Sequence, residues 1–417
     1  MKCWNSAIKS TFIACIIIAT IVQTCFVSAT YAQGFQFESG FKRDRIPFKL
    51  VKNLIIIPVY IDNKGPYNFI LDTGVDPLII TDSTIVSKAD LTNLRNVKIN
   101  GIGEGDEITA YISNRISTKI GDATMLNVPT VILKEDVFNL SSHLGMKIHG
   151  LIGYPFFNSF IVKINYTNTH VFFSLPQARK KIKWTRLDLE FLDNKPYINT
   201  EIELPDLGKI AAKLIIDCGA SHALSLESYH GAIFPLPVPS FQANLGIGLS
   251  GKISGSIGRI SSIKLGSYTF NEVITSFPNF SDVAAKAKQK ERTGNLGSEI
   301  LKRFTIVFDY QDGAMYLRKN GLYRQAFEHD MSGMEVYVDG QSFNRTFVSR
   351  VEPDSPAEKA GILANDEILS INFIRIKDYT LESITSLFKS QNGKTLLIEV
   401  ARGEKISIKL ITLKRRL

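Results

Sequence analysis

The chain repeats itself at a distance of 145 residues, and each copy carries an acidic tripeptide at the end of an apolar run. Asn68-Phe-Ile-Leu leads into Asp72-Thr73-Gly74, and Lys213-Leu-Ile-Ile leads into Asp217-Cys218-Gly219. Other landmarks keep the register. Gly101-Ile102-Gly103 stands opposite Gly246-Ile247-Gly248, and Ile120-Gly121 opposite Leu265-Gly266, both at the same offset of 145. Gly150–Gly153 then meets Gly294–Gly297 at an offset of 144, and Phe160–Tyr166 meets Phe304–Tyr310. Five landmarks in register within one residue imply an internal duplication. A duplicated unit would bring two matching acids together from two halves of one chain.

Within each copy the pattern is β. Short runs rich in Ile, Val, Phe and Tyr are bounded by Gly, Asn, Asp and Pro. Each Asp ends a strand, and the glycine two residues on permits a tight turn with close backbone approach. Each Gly-Ile-Gly lies between strand-like runs and reads as the tip of a hairpin. The charge-rich segment 177–195 joins the copies, and 319–332 leaves the second. The remainder differs. Ser355-Pro-Ala-Glu-Lys-Ala-Gly361 reads as a short helix with a glycine stop, and Asp366–Asn372 as a strand. Leu381, Ile384 and Phe388 share one helical face, and two strands close the unit. The spacing predicts lobes at 47–176 and 183–318 and a small α+β domain at 330–415.

Two carboxyl groups held about 3 Å apart do not both ionise, so one proton is shared and their pKa values separate. Such a pair can activate a water as general base while its protonated member polarises a carbonyl. Asp72 and Asp217 are the catalytic candidates. Thr73 and Cys218 would brace the pair from below, and Gly74 and Gly219 would let the loops meet. Because such a pair titrates as a unit, spacing alone assigns neither role.

The two repeats resemble the pepsin/retropepsin superfamily of aspartic peptidases. Each has a loop of the Asp-Thr/Ser-Gly type, with Cys218 at the middle position in the second copy, a hairpin flap, and a counterpart of the apolar-apolar-Gly segment, Leu151-Ile152-Gly153 in the first copy and Asn295-Leu296-Gly297 in the second. The resemblance covers about residues 47–318 and implies a mainly β, two-lobed, pseudo-twofold β-barrel fold. It implies that Asp76 contacts substrate backbone, the plainer reading being a turn residue before Pro77. It also implies flaps at Gly101, Ile102, Gly103 and at Gly246, Ile247, Gly248, with Ser221 beside the second loop. The tail resembles a bacterial PDZ domain, whose carboxylate loop is expected near Gly333, Met334 and Glu335. Together the segments look like the exported bacterial retropepsin-like peptidases with a C-terminal PDZ domain. The implied activity is endopeptidase action on peptides or unfolded proteins, in a monomer, with no cofactor or metal. The implied PDZ role is capture of a peptide C-terminus.

Two positions depart from the pattern. Val75 stands where Ala, Ser or Thr is usual. Cys218 replaces a Thr or Ser, and a thiol is the weaker hydrogen-bond partner. An inactive peptide-binding scaffold on the same fold is the alternative reading. In the tail, Asn365 replaces a glycine before Asp366, a mild change because Asn tolerates a left-handed backbone.

Lys2 and Lys9 precede the apolar run 12–22, and Thr30-Tyr31-Ala32 offers small residues for a peptidase cut before Gln33. Residues 1–32 therefore read as a signal peptide for export to the periplasm or exterior, with a retained membrane anchor as the alternative. Three of the four cysteines, Cys3, Cys15 and Cys25, lie in that leader. Cys218 alone would remain, excluding an internal disulfide and a thiolate metal cluster. A net charge of +9 with no basic stripe argues against nucleic-acid binding. Gly246-Ile-Gly-Leu-Ser-Gly251 formally fits a dinucleotide fingerprint, but strand-like residues follow it where a helix is required.

Overall fold

The computed structural model describes residues 34–87, 91, 94–99, 107–178, 182–248, 251–281, 283 and 292–417. The leader at 1–32 and the first expected flap, Gly101, Ile102 and Gly103, lie outside the described residues. The fold is mainly β, with two similar lobes followed by a small α+β domain.

The duplication is visible strand by strand. In the first lobe, Lys64–Leu71 ends at Asp72 and pairs in parallel with Gly150–Ile152, with Leu71 opposite Ile152. In the second, Gly208–Ile216 ends at Asp217 and pairs in parallel with Gly294–Leu296, with Ile216 opposite Leu296. The short strand Leu78–Ile80 follows the first loop and Leu224–Leu226 the second; each pairs antiparallel with its lobe's Gly-starting strand. Long hairpins complete each lobe, Ile108–Ile120 with Ala123–Leu133 and Gly251–Leu265 with Tyr268–Pro278. The apolar residues of these strands face inward. Ile55, Ile57, Val59, Phe69 and Leu71 of the first lobe and Leu214, Ile216, Ile260, Ile263 and Val273 of the second belong to one continuous core.

A third sheet joins the lobes. Ile161–Asn165 of the first copy pairs antiparallel with Phe304–Asp309 of the second, for example Ile164 with Ile306. These are the two copies of the fifth repeat landmark, pairing with each other. Strand Arg43–Pro47 extends the same sheet, and Gln36–Phe37 adds to the first lobe's sheet, so ordered structure begins ahead of the expected start at 47.

The C-terminal domain has its own core of Val336, Val348, Ile368, Ile371, Leu396, Ile398 and Val400. Leu381, Ile384 and Phe388 of helix Leu381–Phe388 are all buried against it, as their spacing predicts. Asn365 has φ 68°, the left-handed conformation that usually selects glycine at this point.

This domain leans on the first lobe. Helix Leu140–Leu144 lies against strand Met334–Val338, and Gly145 faces the Leu381 side chain. The backbone N–H of Lys52 donates to Glu382 Oε2 (2.8 Å).

Candidate active site

The two acidic loops meet at the centre of the lobed region. Asp72 is only 7% exposed, whereas Asp217 is partly exposed. Each loop closes the same way. Gly74 N–H donates to Asp72 Oδ1 (2.7 Å), and Gly219 N–H donates to Asp217 Oδ1 (2.8 Å). Asp72 N–H donates to Ile152 O (2.9 Å), and Asp217 N–H to Leu296 O (3.0 Å), anchoring both loops to the neighbouring parallel strands.

Glycine is required where the loops press together. A methyl at Gly219 would overlap the Asp72 carboxylate, and one at Gly74 would sit 3.2 Å from Asp217 Cγ. Gly153 and Gly297 face the backbone carbonyls of the first and second acidic loops, where a methyl would also overlap.

The carboxyl groups lie within hydrogen-bonding reach of one another. Burial, and then the Asp217 charge, push the Asp72 carboxyl well above the usual carboxylate range. The pair therefore retains a proton at pH values where an exposed aspartate would have lost it.

Thr73 ties the two lobes beneath the pair. It is fully buried; its hydroxyl donates to Ile216 O (2.7 Å) and accepts from Cys218 N–H (2.9 Å). Cys218 supplies only a thiol at the matching place. That thiol is fully buried against the Thr73 and Tyr166 hydroxyls, and burial pushes its pKa up. A protonated, enclosed thiol is no nucleophile. Ser298 Oγ donates to Cys218 O (2.8 Å), bracing the second loop from its own lobe.

The other expected residues fall in several places. Asp76 sits at the loop's end, and its carboxylate accepts from Asn194 Nδ2 of the second lobe (2.8 Å). Ser221 is exposed, with its carbonyl accepting from Asn53 Nδ2 (2.8 Å). Gly246, Ile247 and Gly248 end the strand of an antiparallel hairpin, with Gly248 opposite Gly251, so no helix follows as a dinucleotide site requires. Ile247 packs against the first-lobe cluster of Ala110, Val131, Leu133 and Phe138.

At the segment where the PDZ carboxylate loop was expected, Asp330 Oδ1 accepts from the N–H groups of Ser332 (2.8 Å) and Gly333 (2.9 Å). Ser332 Oγ accepts from Met334 N–H (3.2 Å), and Glu335 accepts from Asn244 Nδ2 of the second lobe (3.1 Å). The amides of Gly333 and Met334 are thus engaged inside their own loop.

One residue at the pair was not singled out from sequence. Asn295 Nδ2 donates to Asp217 Oδ2 (2.6 Å). Its signal was in the repeat, where the matching first-copy residue is the apolar Leu151.

Residues 57–156 match the family described as aspartyl protease, and residues 347–402 match the family described as PDZ domain. No curated protein matches the chain. The first match contains Asp72; Asp217 enters through the duplication and the geometry. The chain thus combines a retropepsin-like aspartyl protease domain with a C-terminal PDZ domain.

Proposed function

We propose that this chain is an exported aspartic endopeptidase whose catalytic pair is Asp72 and Asp217. The observation that carries the proposal is the meeting of the two carboxyl groups, with Asp72 raised by burial and by its partner. In the reaction, the ionised carboxylate takes a proton from a water held between the two acids, and the water oxygen bonds to the scissile carbonyl carbon. The protonated acid gives its proton to the carbonyl oxygen. On collapse the C–N bond breaks, the amine leaves with the proton taken from water, and the tetrahedral hydroxyl returns a proton to the acid. The pair ends as it began. Both acids lie on one chain, so a monomer suffices. An extended peptide would lie between the lobes, bonded through its backbone to the hairpins.

The leader motivates export, to the periplasm or the exterior. The PDZ domain would capture a peptide terminus or strand by adding it to strand Met334–Val338. A peptide laid between that strand and helix Leu381–Phe388 would meet the segment Leu140–Gly145, so capture is coupled to release of the first lobe.

The test is cleavage of unfolded peptides by the purified chain from acid to neutral pH. Wild type is expected to cleave and Asp72→Asn to be inactive; equal activity, with contaminants excluded, overturns the assignment. The thiol at Cys218 motivates a second reading, a peptide-binding scaffold without catalysis. A statine-type transition-state mimic separates the two. Binding that disappears in Asp217→Asn supports the enzyme, and peptide binding indifferent to both aspartates supports the scaffold.

A further inference from the structure

The two halves of the acid pair are not equivalent, and the difference lies behind Asp217. In the first copy, strand Gly150–Ile152 presents Leu151; in the second, Gly294–Leu296 presents Asn295. The residue 145 before His222 is Pro77. The second lobe thus carries two polar side chains where the first carries none.

Their placement is specific. Asn295 is 8% exposed. With Asn295 Nδ2 on Oδ2 at 2.6 Å and Gly219 N–H on Oδ1 at 2.8 Å, both oxygens of Asp217 accept hydrogen bonds. Asp72, although more buried, receives one such donor among the described residues, Gly74 N–H. Asn295 Oδ1 and His222 Nε2 are both buried, and neither has a hydrogen-bond partner among the described residues. The imidazole lies against the Asn295 carboxamide and backbone. Burial pushes the imidazole pKa down, so a neutral ring with its hydrogen on Nε2 is the form that suits the carboxamide oxygen. The other titratable groups facing the pair are Cys218 beneath it, Tyr310 beside Asp72, and Lys195, whose charge reaches Asp72.

A carboxamide N–H favours a carboxylate over a carboxylic acid, because a hydrogen bond to an ionised acceptor is the stronger one. We propose that Asn295, backed by His222, is a positioning residue that makes the pair unequal, holding Asp217 as the carboxylate and leaving the shared proton on Asp72. This rests on the peptidase reading and sharpens it. Asp217 is then the base that takes the water's proton, and Asp72 the acid that protonates the carbonyl oxygen. The orientation of Asn295 is fixed by the same contacts, since flipping the amide would set its oxygen against Asp217.

The test reads protonation directly and needs no turnover. The full chain is labelled with aspartate carrying 13C at Cγ. The two carboxyl signals are identified by their loss in Asp72→Asn and Asp217→Asn, and the wild type is titrated. Asp217 is expected to ionise first, with Asp72 remaining protonated. Asn295→Leu, the residue the first copy uses, is expected to move the first ionisation up by about one pH unit, the size of a lost hydrogen bond to a charged group. His222→Phe is expected to give a smaller shift of the same sign. Asp72 ionising first overturns the proposal, and that wild-type observation stands even if no variant at 295 folds. An Asn295→Leu titration identical to wild type overturns it as well. A chain that titrates as expected yet cleaves nothing refutes the peptidase reading alone. A chain that cleaves with Asp72 ionised first refutes this assignment alone. In an active chain, the acid limb of the kcat/KM profile should move with the NMR shift, which a purely structural role would not produce.

Discussion

Thr73→Val removes one hydroxyl and leaves the side-chain shape nearly unchanged, so it isolates the tie between the lobes. The hydroxyl makes two buried hydrogen bonds to the other lobe, to Ile216 O at 2.7 Å and from Cys218 N–H at 2.9 Å. Thr73 and Cys218 are both fully buried, so water cannot replace the lost partner. Leaving a buried donor or acceptor unmatched costs about 1–3 kcal/mol, so the two together should cost about 2–6 kcal/mol. For a unit of this size that corresponds to a fall in Tm of ~5 °C or more. Thr73→Ser keeps the hydroxyl and loses one methyl, which should cost about 1 kcal/mol. Urea denaturation and thermal melts of the three proteins measure this. The second lobe has only a thiol at the matching position, so the loss at Thr73 has no symmetric counterpart to share it. A Thr73→Val protein within about 0.5 kcal/mol of wild type, or less damaged than Thr73→Ser, would refute the view that this hydroxyl joins the lobes.

Gly219→Ala should reduce kcat/KM by about 100-fold or more, because the new methyl overlaps the Asp72 carboxylate and a shift of about 1 Å at a reacting group costs that much; Gly321→Ala, with open space around it, is the control and should be neutral. Asp72→Asn should stabilise the protein at pH 7 but not at pH 3, as read by urea denaturation at both values. The sign follows from the raised pKa of Asp72: the native state holds that proton more tightly than the unfolded chain, so wild-type stability is highest below the unfolded value of about 3.9 and falls as pH rises toward the native one. Gly145→Gln places a side chain against Leu381 at a left-handed φ of 71°, so it should loosen the first lobe from the PDZ domain. Faster amide exchange in strand Met334–Val338 and tighter binding of C-terminal peptides would be the readouts; unchanged exchange would refute the contact's role.

Much of the fold was legible because duplication is a sequence property. Among the described residues, the landmarks of the repeat became the same elements in both lobes, from the acidic loops to the paired strands Ile161–Asn165 and Phe304–Asp309; the landmark Gly101-Ile102-Gly103 lies outside them. The PDZ elements were legible for a similar reason: Leu381, Ile384 and Phe388 share a face by local periodicity alone, and all three are buried. Asn365 was legible as a glycine substitute because the left-handed conformation is a property of a single residue.

What sequence did not expose depends on contacts between distant segments. Asp76 belongs to the acidic loop by position, but its partner, Asn194, comes from a turn of the other lobe. Gly333 and Met334 stand where a carboxylate loop was expected, yet the Gly333 amide holds the Asp330 carboxylate and the Met334 amide donates to Ser332 Oγ. The lean of the PDZ domain on helix Leu140–Leu144 involves residues that carry no motif.

The acid pair itself divides along the same line. Sequence by itself determined that two matching acids exist, that each ends a strand, and that the chain supplies both, because these follow from local pattern and its repetition. Only the tertiary structure decided that the two acids are unequal. Burial, the one donor that Asp72 has among the described residues and the second donor on Asp217 arise where strands from separate parts of the chain converge, and a carboxyl group's proton affinity is set by everything that surrounds it.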